Sequence, residues 1–450
     1  DGTPGAGGER VLEATDIILA TGSRVKSLPG LVPDGVRIVT SDDILKRDTA
    51  PASIIIVGAG AVGSEFASFF NDLGTEVTLL EYLPAIVPLE DREVSALVAK
   101  SFAKRGIRVI ANARFDPASV VADKRGVRVT VGPEGGSAEE ISAELMLVAT
   151  GRAANIEQIG LETTRVKTER GVIVVDDHMR TAEPHVWAIG DIVGGLWLAH
   201  TAGHEGLIAA HTIAGEEVHG MDYVAQPRAT YCRPEIASVG LTEEQCKERG
   251  LDYRVGRMPF MAVAKALIGG EYEGFVKVIG DAKSGETLGV HIVGPHATDL
   301  IAEASLGLSL EATPWEIGAA THPHPTLSEA QTQLADLRDI QKAVDIGALG
   351  IIIPLVDTVE EIRSAVEYAM YPPRGKRSLG NGQYGALYGA DYRQIANDIM
   401  TATLRQTSGA TIRPEEFTAE AQKYIPQPGD SSDVISQKLN ALKLFAVAMA

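Results

Sequence analysis

Residues 53–81 read SIIIVGAGAVGSEFASFFNDLGTEVTLLE, and their reading decides the fold. The apolar β-branched run from Ser53 to Val57 predicts a buried strand, and it breaks on Gly58-Ala59-Gly60-Ala61-Val62-Gly63. A helix from Ala61 to about Leu73 and a second strand from Glu76 to Glu81 complete a βαβ unit. The three glycines have separate tasks. Gly58 permits the tight turn, Gly60 lets backbone approach a pyrophosphate, and Gly63 lets the helix pack against the strand. The helix N-terminus then offers free N–H groups and partial positive charge to the phosphates. Glu81 ends the second strand, 23 residues after Gly58. A carboxylate there accepts ribose hydroxyls and repels a 2′-phosphate, so the pattern predicts NAD rather than NADP. The bland alternative, a glycine turn with no ligand, accounts for none of this surrounding context.

Outward from that unit the chain has 450 residues, a prior for about three domains. With 45% hydrophobic and 22% charged residues it falls in the globular range. The net charge of −19 repels phosphate backbones and anionic lipid, so neither nucleic acid nor a membrane surface is an expected partner. Apolar runs such as Ile54 to Val57 and Ala348 to Ile353 are far shorter than the ~18 residues of a membrane span. Two cysteines, Cys232 and Cys246, make no disulfide framework, which suits a reducing, cytoplasmic setting. The chain opens on Asp1 with a segment that reads as a loop entering a late strand, so an N-terminal portion upstream is expected.

Ile17 to Ala20 reads as a buried strand closed by Thr21-Gly22-Ser23, and Leu145 to Ala149 as another closed by Thr150-Gly151-Arg152. Between them a second helix, Asp91 to Arg105, precedes a strand from Ile107 to Ala111. Alternating segments at Val127 to Val131 and Glu144 to Val148 complete a unit of about 100 residues. From Gln226 onward the texture becomes antiparallel β, followed by an amphipathic helix from Asp299 to about Leu310; this second, α+β unit ends near Ala330. In His322-Pro323-His324-Pro325-Thr326-Leu327-Ser328-Glu329 the prolines hold both rings in fixed directions. An imidazole near its working pKa with a carboxylate to fix its tautomer suits proton transfer. Two surface histidines remain open as a reading of the residues alone, and a metal pair has no third ligand in view.

Six motifs in order carry a resemblance: ATGS (20–23), the fingerprint at 53–81, LVATGR (147–152), VWAIGDIVGGLWLAHTAGHEG (186–206), TYCRPEIASVGLTEEQ (230–245) and HPHPTLSEA (322–330). Over about residues 1–330 the chain resembles the flavin-dependent pyridine nucleotide–disulfide oxidoreductases, and within them the dihydrolipoamide dehydrogenase branch. The resemblance implies an α/β flavoprotein reductase with two dinucleotide-binding domains: a partial FAD domain (1–48), a Rossmann-like NAD domain inserted in it (49–148), a FAD/central segment (149–225), and an interface domain (226–332) that makes a homodimer. It implies FAD and NAD as cofactors and no metal. On the FAD side it assigns Thr21, Gly22, Ser23, Gly190, Asp191, Leu198, Ala199 and His200, with Asp191 on the ribityl hydroxyls. On the NAD side it assigns Gly58, Gly60, Gly63, Glu81 and Gly151, with Glu65 near the nicotinamide. Read alone, Glu65 is an ordinary first-turn acid favoured by the helix dipole. His204 is left as a surface residue and His322 as structural.

The implied reaction oxidises dihydrolipoamide, borne on an acyltransferase of a 2-oxo acid dehydrogenase complex, through an enzyme disulfide and FAD to NAD+. His324 is the base and Glu329 orients it, acting across the dimer on the partner chain's disulfide. The family's FAD pyrophosphate fingerprint and its redox Cys-x4-Cys pair have no counterpart in this sequence, and Cys232 and Cys246 read as ordinary thiols. The expectation is an incomplete oxidoreductase with NAD affinity and no dithiol turnover of its own. Residues 333–398 resemble a piece of the class II pyruvate (hydroxy-diacid) aldolases, a partial (β/α) barrel in which only Asp345 maps to an active-site position. Residues 399–450 resemble, distantly, helical tails of phage DNA-injection proteins. A chimeric chain with poorly packed residues beyond about 335 is expected. The competing readings are another FAD/NAD(P) disulfide reductase, a metal-dependent pyruvate aldolase, and a non-catalytic NAD-binding module.

Overall fold

The structure, a computed structural model, describes residues 12–133 and 136–332. The chain divides into two units at residues 334/335, and everything described lies in the first. The barrel fragment and helical tail expected for 333–450 fall outside the described residues.

The chain begins with β1 (Ile17–Leu19), β2 (Ser23–Val25), β3 (Ile38–Val39) and the short helix α1 (Ser41–Ile44). Then come β4 (Ser53–Val57), α2 (Ala61–Asp72), β5 (Glu76–Leu80), α3 (Arg92–Lys104) and β6 (Arg108–Ile110). β7 (Ala113–Arg114), β8 (Val121–Asp123), β9 (Gly126–Pro133) and β10 (Glu139–Ala143) lead into β11 (Leu145–Val148). A parallel five-stranded sheet has the order β3-β11-β4-β5-β6. Because strand order reverses beside β4, the C-terminal ends of β4 and β11 open a crevice at a topological switch point. Both faces of the sheet are covered, which is why β4 reads as an unbroken apolar run. Ile54 and Ile56 pack with Val94, Val98 and Phe102 of α3 on one side. Ile55 and Val57 pack with Val127, Val129 and Ile141 of the antiparallel strands on the other. The strand Glu139–Ala143, which sequence patterning did not isolate, pairs along β9 and ends where Glu144 turns the chain into β11. The sheet also recruits β3, upstream of the expected start at residue 49.

β12 (Arg152–Ala154) pairs antiparallel with β2, and β13 (Thr168–Glu169) with β14 (Val172–Ile173); β15 (Val186–Ala188) lies parallel to β1 and precedes α4 (Ala199–Ile213). The expected buried strand at Ile17 to Ala20 requires correction. It is a strand, but Ile17 and Ile18 are 48% and 40% exposed. Among the described residues β1 has one partner strand, and burial requires a second packed layer as well as apolar side chains.

The second sheet is antiparallel, built from β16 (Arg228–Thr230), β17 (Glu235–Gly240), β18 (Tyr253–Pro259), β19 (Phe275–Asp281) and β20 (Thr287–Gly294) in the order β16-β17-β20-β19-β18. Helices α5 (Glu243–Glu248) and α6 (Ala264–Gly269) interrupt it, and α7 (Ala297–Ser309), α8 (Pro314–Ala319) and α9 (Glu329–Thr332) follow. Ala237, Val239, Val276, Val290 and Ile292 on one face enclose a core with Ala297, Ile301 and Ala304 of α7 and Ala330 of α9. Thr313 and Glu316 form a capping box that fixes the start of α8 before the chain reaches His322. No described helix is long and apolar enough to cross a membrane.

Candidate functional site

The glycine turn lies at the crevice between β4 and β11. Gly58 has φ +100°, and a Cβ there would meet the Ala149 carbonyl oxygen at 2.5 Å. A Cβ on Gly63 would lie 1.8 Å from the Gly58 oxygen, so α2 can approach β4 only with glycine in both places. Gly60 is different: a Cβ there would meet nothing within 4 Å. No packing against the described residues calls for glycine at this position, whereas a ligand's phosphates would occupy the same open space. Gly60 is also the N-cap of α2 and supplies no side-chain cap, leaving the first-turn N–H groups to face the crevice. Gly151, φ +112°, closes β11 on the other lip with open space at its Cβ position. These residues fit a dinucleotide.

Glu81 is buried at the end of β5, and its carboxylate braces the turn, accepting the Ala59 N–H (2.7 Å) and the Leu83 N–H (2.8 Å). Each oxygen keeps a second lone pair for a ribose hydroxyl. Glu65, one turn into α2, is half-buried and accepts the Tyr231 N–H at 2.8 Å, tying α2 to the second sheet unit. Burial pushes its carboxyl above the usual range, against the pull of that bond. The next residue, Cys232, is buried, donates to the Pro234 carbonyl at 3.1 Å, and has its thiol pushed up to about 12 by burial and by Glu65. It is a neutral thiol at physiological pH, unsuited to nucleophilic or redox attack. Cys246 is likewise free and buried.

A second cluster joins the turn Thr21-Gly22-Ser23 to the end of β15. The Thr21 hydroxyl donates to the Asn155 carbonyl at 2.6 Å, and the Asn155 N–H donates to the Gly22 carbonyl at 2.9 Å. The Ser23 hydroxyl donates to Asp191, while Arg152 donates to the Ser23 oxygens at 2.6 and 3.0 Å and lies 3.8 Å from Asp191. The Gly190 N–H donates to Glu205 at 2.5 Å, and the Tyr223 hydroxyl donates to the other Glu205 oxygen at 2.8 Å. Burial pushes the Glu205 carboxyl upward. Arg152, Glu205 and Tyr223 were not singled out in the sequence; an acid on the buried face of α4 was the available signal. Leu198 is the half-buried N-cap of α4, and Ala199 begins it in an exposed position. His200 is exposed with Nε2 2.8 Å from the Pro227 carbonyl, and His204 is exposed. The described residues thus bring the two turns together and leave a polar, partly buried carboxylate suited to hydroxyl groups of a polyol.

On the second unit, His324 is largely exposed, and its Nδ1 is 2.8 Å from Glu329 Oε1. Glu329 Oε2 accepts the Thr326 N–H at 2.8 Å. A carboxylate accepts only, so Nδ1 carries the proton and Nε2 presents its lone pair outward. Burial pushes the Glu329 carboxyl up, but the Thr326 N–H and His324 outweigh it and hold the group below the usual range. His322, two residues before, is nearly enclosed: Nδ1 faces the Ala320 carbonyl at 2.9 Å and Nε2 the Glu303 carboxylate at 2.9 and 3.0 Å. Both partners are acceptors, an arrangement that favours the doubly protonated ring. Burial opposes that charge, yet Glu303 and the Ala320 carbonyl raise His322 above the ordinary histidine range. A raised folded value stabilises fully below the unfolded value of about 6.5 and is lost as pH climbs through the folded value. Thermal unfolding between about pH 5.5 and 9 should show this decline in the unaltered protein and a flatter profile in Glu303→Gln. No group of three or more His, Cys, Asp or Glu placed to hold a metal occurs among the described residues.

Comparison with known proteins agrees with this geometry. The family model for pyridine nucleotide-disulphide oxidoreductases matches residues 2–206, and that for their dimerisation domain matches 226–335. The dihydrolipoyl dehydrogenase of Bacillus subtilis is 48% identical over 323 residues, which are 70% of this chain and 66% of that protein. That of Zymomonas mobilis is 45% identical over 325 residues, 72% of this chain and 69% of the relative. Among solved structures, LpdA from Mycobacterium tuberculosis superposes with a TM-score of 0.66 at 31% identity, covering 71% of this chain and 68% of that one. The HOCl-induced flavoprotein disulfide reductase RclA of Escherichia coli, as its Cu(II) complex, gives 0.64 at 26% identity, covering 71% of this chain and 72% of that one. The chain spans about two thirds of the length of these curated relatives, and the dimerisation-domain match ends at residue 335. With the fold described and both domain matches in order along it, this chain belongs to the pyridine nucleotide-disulphide oxidoreductases, as a homologue of the dihydrolipoyl dehydrogenases.

Proposed function

We propose that these residues are the NAD-binding and proton-transfer parts of a homodimeric dihydrolipoyl dehydrogenase, which oxidises dihydrolipoamide carried by the acyltransferase of a 2-oxo acid dehydrogenase complex, with NAD+ as acceptor, through a redox disulfide that Cys232 and Cys246 do not supply. The observation that carries the reading is the 2.8 Å contact of His324 Nδ1 with Glu329, which leaves Nε2 free to take a thiol proton. Glu329 holds the tautomer and stabilises the imidazolium that forms. In the family arrangement this pair serves a redox disulfide of the partner chain, a cysteine pair that residues 1–450 do not contain, and this makes the dimer the working unit. The α2 N-terminus, Gly58, Gly60, Gly63, Gly151 and Glu81 would hold NAD, and Glu65 is the acid of α2 assigned beside the nicotinamide. Thr21, Gly22, Ser23, Gly190, Asp191, Leu198, Ala199 and His200 would hold FAD, with Asp191 accepting ribityl hydroxyls. Bound FAD and NAD would carry the electron pair onward to the nicotinamide once the dithiol has reduced the redox disulfide. Two buried free thiols suit a reducing, cytoplasmic setting.

The test is twofold. In calorimetric titration NAD+ should bind at least about tenfold more tightly than NADP+, because Glu81 repels a 2′-phosphate, and Glu81→Gln should narrow that gap. A protein that carries these residues together with a redox cysteine pair should also form NADH from dihydrolipoamide; a correctly folded, flavin-loaded dimer of it that forms none overturns the proposal.

A further inference from the structure

One residue from each strand of the dimerisation sheet lines up across it. Arg228 of β16 lies opposite Ser238 of β17, Ser238 opposite His291 of β20, His291 opposite Lys277 of β19, and Lys277 opposite Arg257 of β18. Strand alternation puts this polar row on the face away from α7, whose core takes Ala237, Val276 and Ile292. The row meets a short acidic run, Glu90, Asp91 and Glu93, at the entrance to α3 of the dinucleotide unit. Ser238 donates to Glu90 at 2.6 Å, and Arg228 lies 3.5 Å from it. Arg257 donates to Glu93 at 2.7 Å. At the centre, the Lys277 ammonium donates to Asp91 at 2.8 Å, to Glu93 at 3.2 Å and to Glu243 at 2.6 Å. The Lys277 and Asp91 side chains are each only 1% exposed.

Burying a lysine is costly unless its charge is met on several sides, and apolar packing of Ile236 and Val293 already joins the two sheet units. The cluster therefore contributes register more than adhesion. Its register reaches the glycine turn by an unbroken path. Asp91 is the N-cap of α3, accepting the Glu93 N–H at 3.0 Å and, with its carbonyl, the Ser95 N–H at 3.0 Å. The Ser95 hydroxyl donates to the Val87 carbonyl at 3.2 Å, and the Val87 N–H donates to the Ala59 carbonyl at 2.7 Å. Ala59 stands between Gly58 and Gly60, and its own N–H is held by Glu81. Lys277, on a different sheet, thus sits at the far end of the contacts that orient the peptide facing the pyrophosphate site.

We infer that Lys277 is a positioning residue for the dinucleotide: by seating Asp91 it sets the first turn of α3 and Val87, and through them the Ala59 peptide of the fingerprint. The inference rests on the reading that this turn binds NAD.

The test compares the native protein with Lys277→Met by NAD+ titration, thermal unfolding, and steady-state kinetics against both NAD+ and an artificial electron acceptor. NAD+ affinity should fall about tenfold, appearing as a raised KM for NAD+, because small displacements of a binding turn are costly. The rate to the artificial acceptor, which bypasses the turn, should stay within about twofold. A folded Lys277→Met protein with a lowered thermal midpoint and unchanged NAD+ affinity overturns the inference, since a merely structural lysine would give that result. Should Lys277→Met not fold, Ser95→Ala decides: it leaves the ion cluster intact and removes only the link to Val87. It should weaken NAD+ by about threefold, and unchanged affinity overturns the inference. If the unaltered protein binds no NAD+, the functional reading of the turn falls first, and this inference with it.

Discussion

In a protein that carries these residues together with the redox cysteine pair, replacing His324 with Gln should lower dihydrolipoamide-to-NAD+ turnover by about 10²- to 10⁴-fold, the range supplied by a positioned general base, while NAD+ affinity stays within about twofold. Glutamine keeps a polar group able to donate to Glu329 but has no ring nitrogen to receive a thiol proton. The dithiol then has to lose its proton to solvent before it can act as a nucleophile. His324 is exposed and lies outside the buried core, so the variant should unfold at nearly the temperature of the unaltered protein. Glu329→Gln should also slow turnover. Its amide can donate to Nδ1, and that stabilises the tautomer whose Nε2 already carries a proton and cannot accept another. Initial rates of NADH formation, paired with calorimetric NAD+ titration, separate proton transfer from cofactor binding. A His324→Gln enzyme that keeps more than about a tenth of the rate would remove His324 from the role of base.

What the sequence makes legible here is local and strongly patterned. The run Ile54 to Val57 needs burial on both faces, the glycine spacing needs a helix pressed on a strand, and the structure meets both requirements within a residue of the expected bounds. The histidine–proline run was equally readable, and the contact of His324 with Glu329 spans only five positions. What stayed hidden depends on distant parts. Ile17 and Ile18 look like core residues because they are apolar, but their exposure is set by how many layers cover β1. The strand Glu139–Ala143 is too polar at its start to announce itself, and it exists because β9 offers an edge to pair with. Lys277 in GFVKVIG carries no local signal of burial. Its burial follows from the register of five strands drawn from Arg228 to Gly294 and from an acidic run 184 to 187 positions upstream, a coincidence in space that no local window contains.

The same substitution at two glycines of one turn should give opposite outcomes, and this contrast separates the folding role of the fingerprint from its binding role. At Gly63, alanine puts a methyl group 1.8 Å from the Gly58 carbonyl oxygen and 3.0 Å from its carbon. Both are backbone atoms of the β4–α2 turn, so no side chain can move aside; α2 must lift from β4. Overpacking of this kind costs about 1–3 kcal/mol, and here the rigid neighbour places the expectation at the upper end. At Gly60, the backbone angles of −70° and −168° are open to any residue, and an added methyl meets nothing within 4 Å. Gly60→Ala should therefore leave thermal stability unchanged or raise it by about 0.4–1 kcal/mol, through the smaller conformational entropy of the unfolded chain. Its cost falls on the ligand. A methyl in the space kept for the pyrophosphate, at about 2–3 kcal/mol of overlap, weakens NAD+ by roughly 30- to 150-fold. Thermal unfolding and NAD+ titration of the two variants side by side check the whole pattern. Gly63→Ala should lose stability first and binding only as a consequence, whereas Gly60→Ala should lose binding from a fully folded protein. A Gly60→Ala protein that binds NAD+ as tightly as the unaltered chain would mean that the open space beside the α2 N-terminus is not where the pyrophosphate lies.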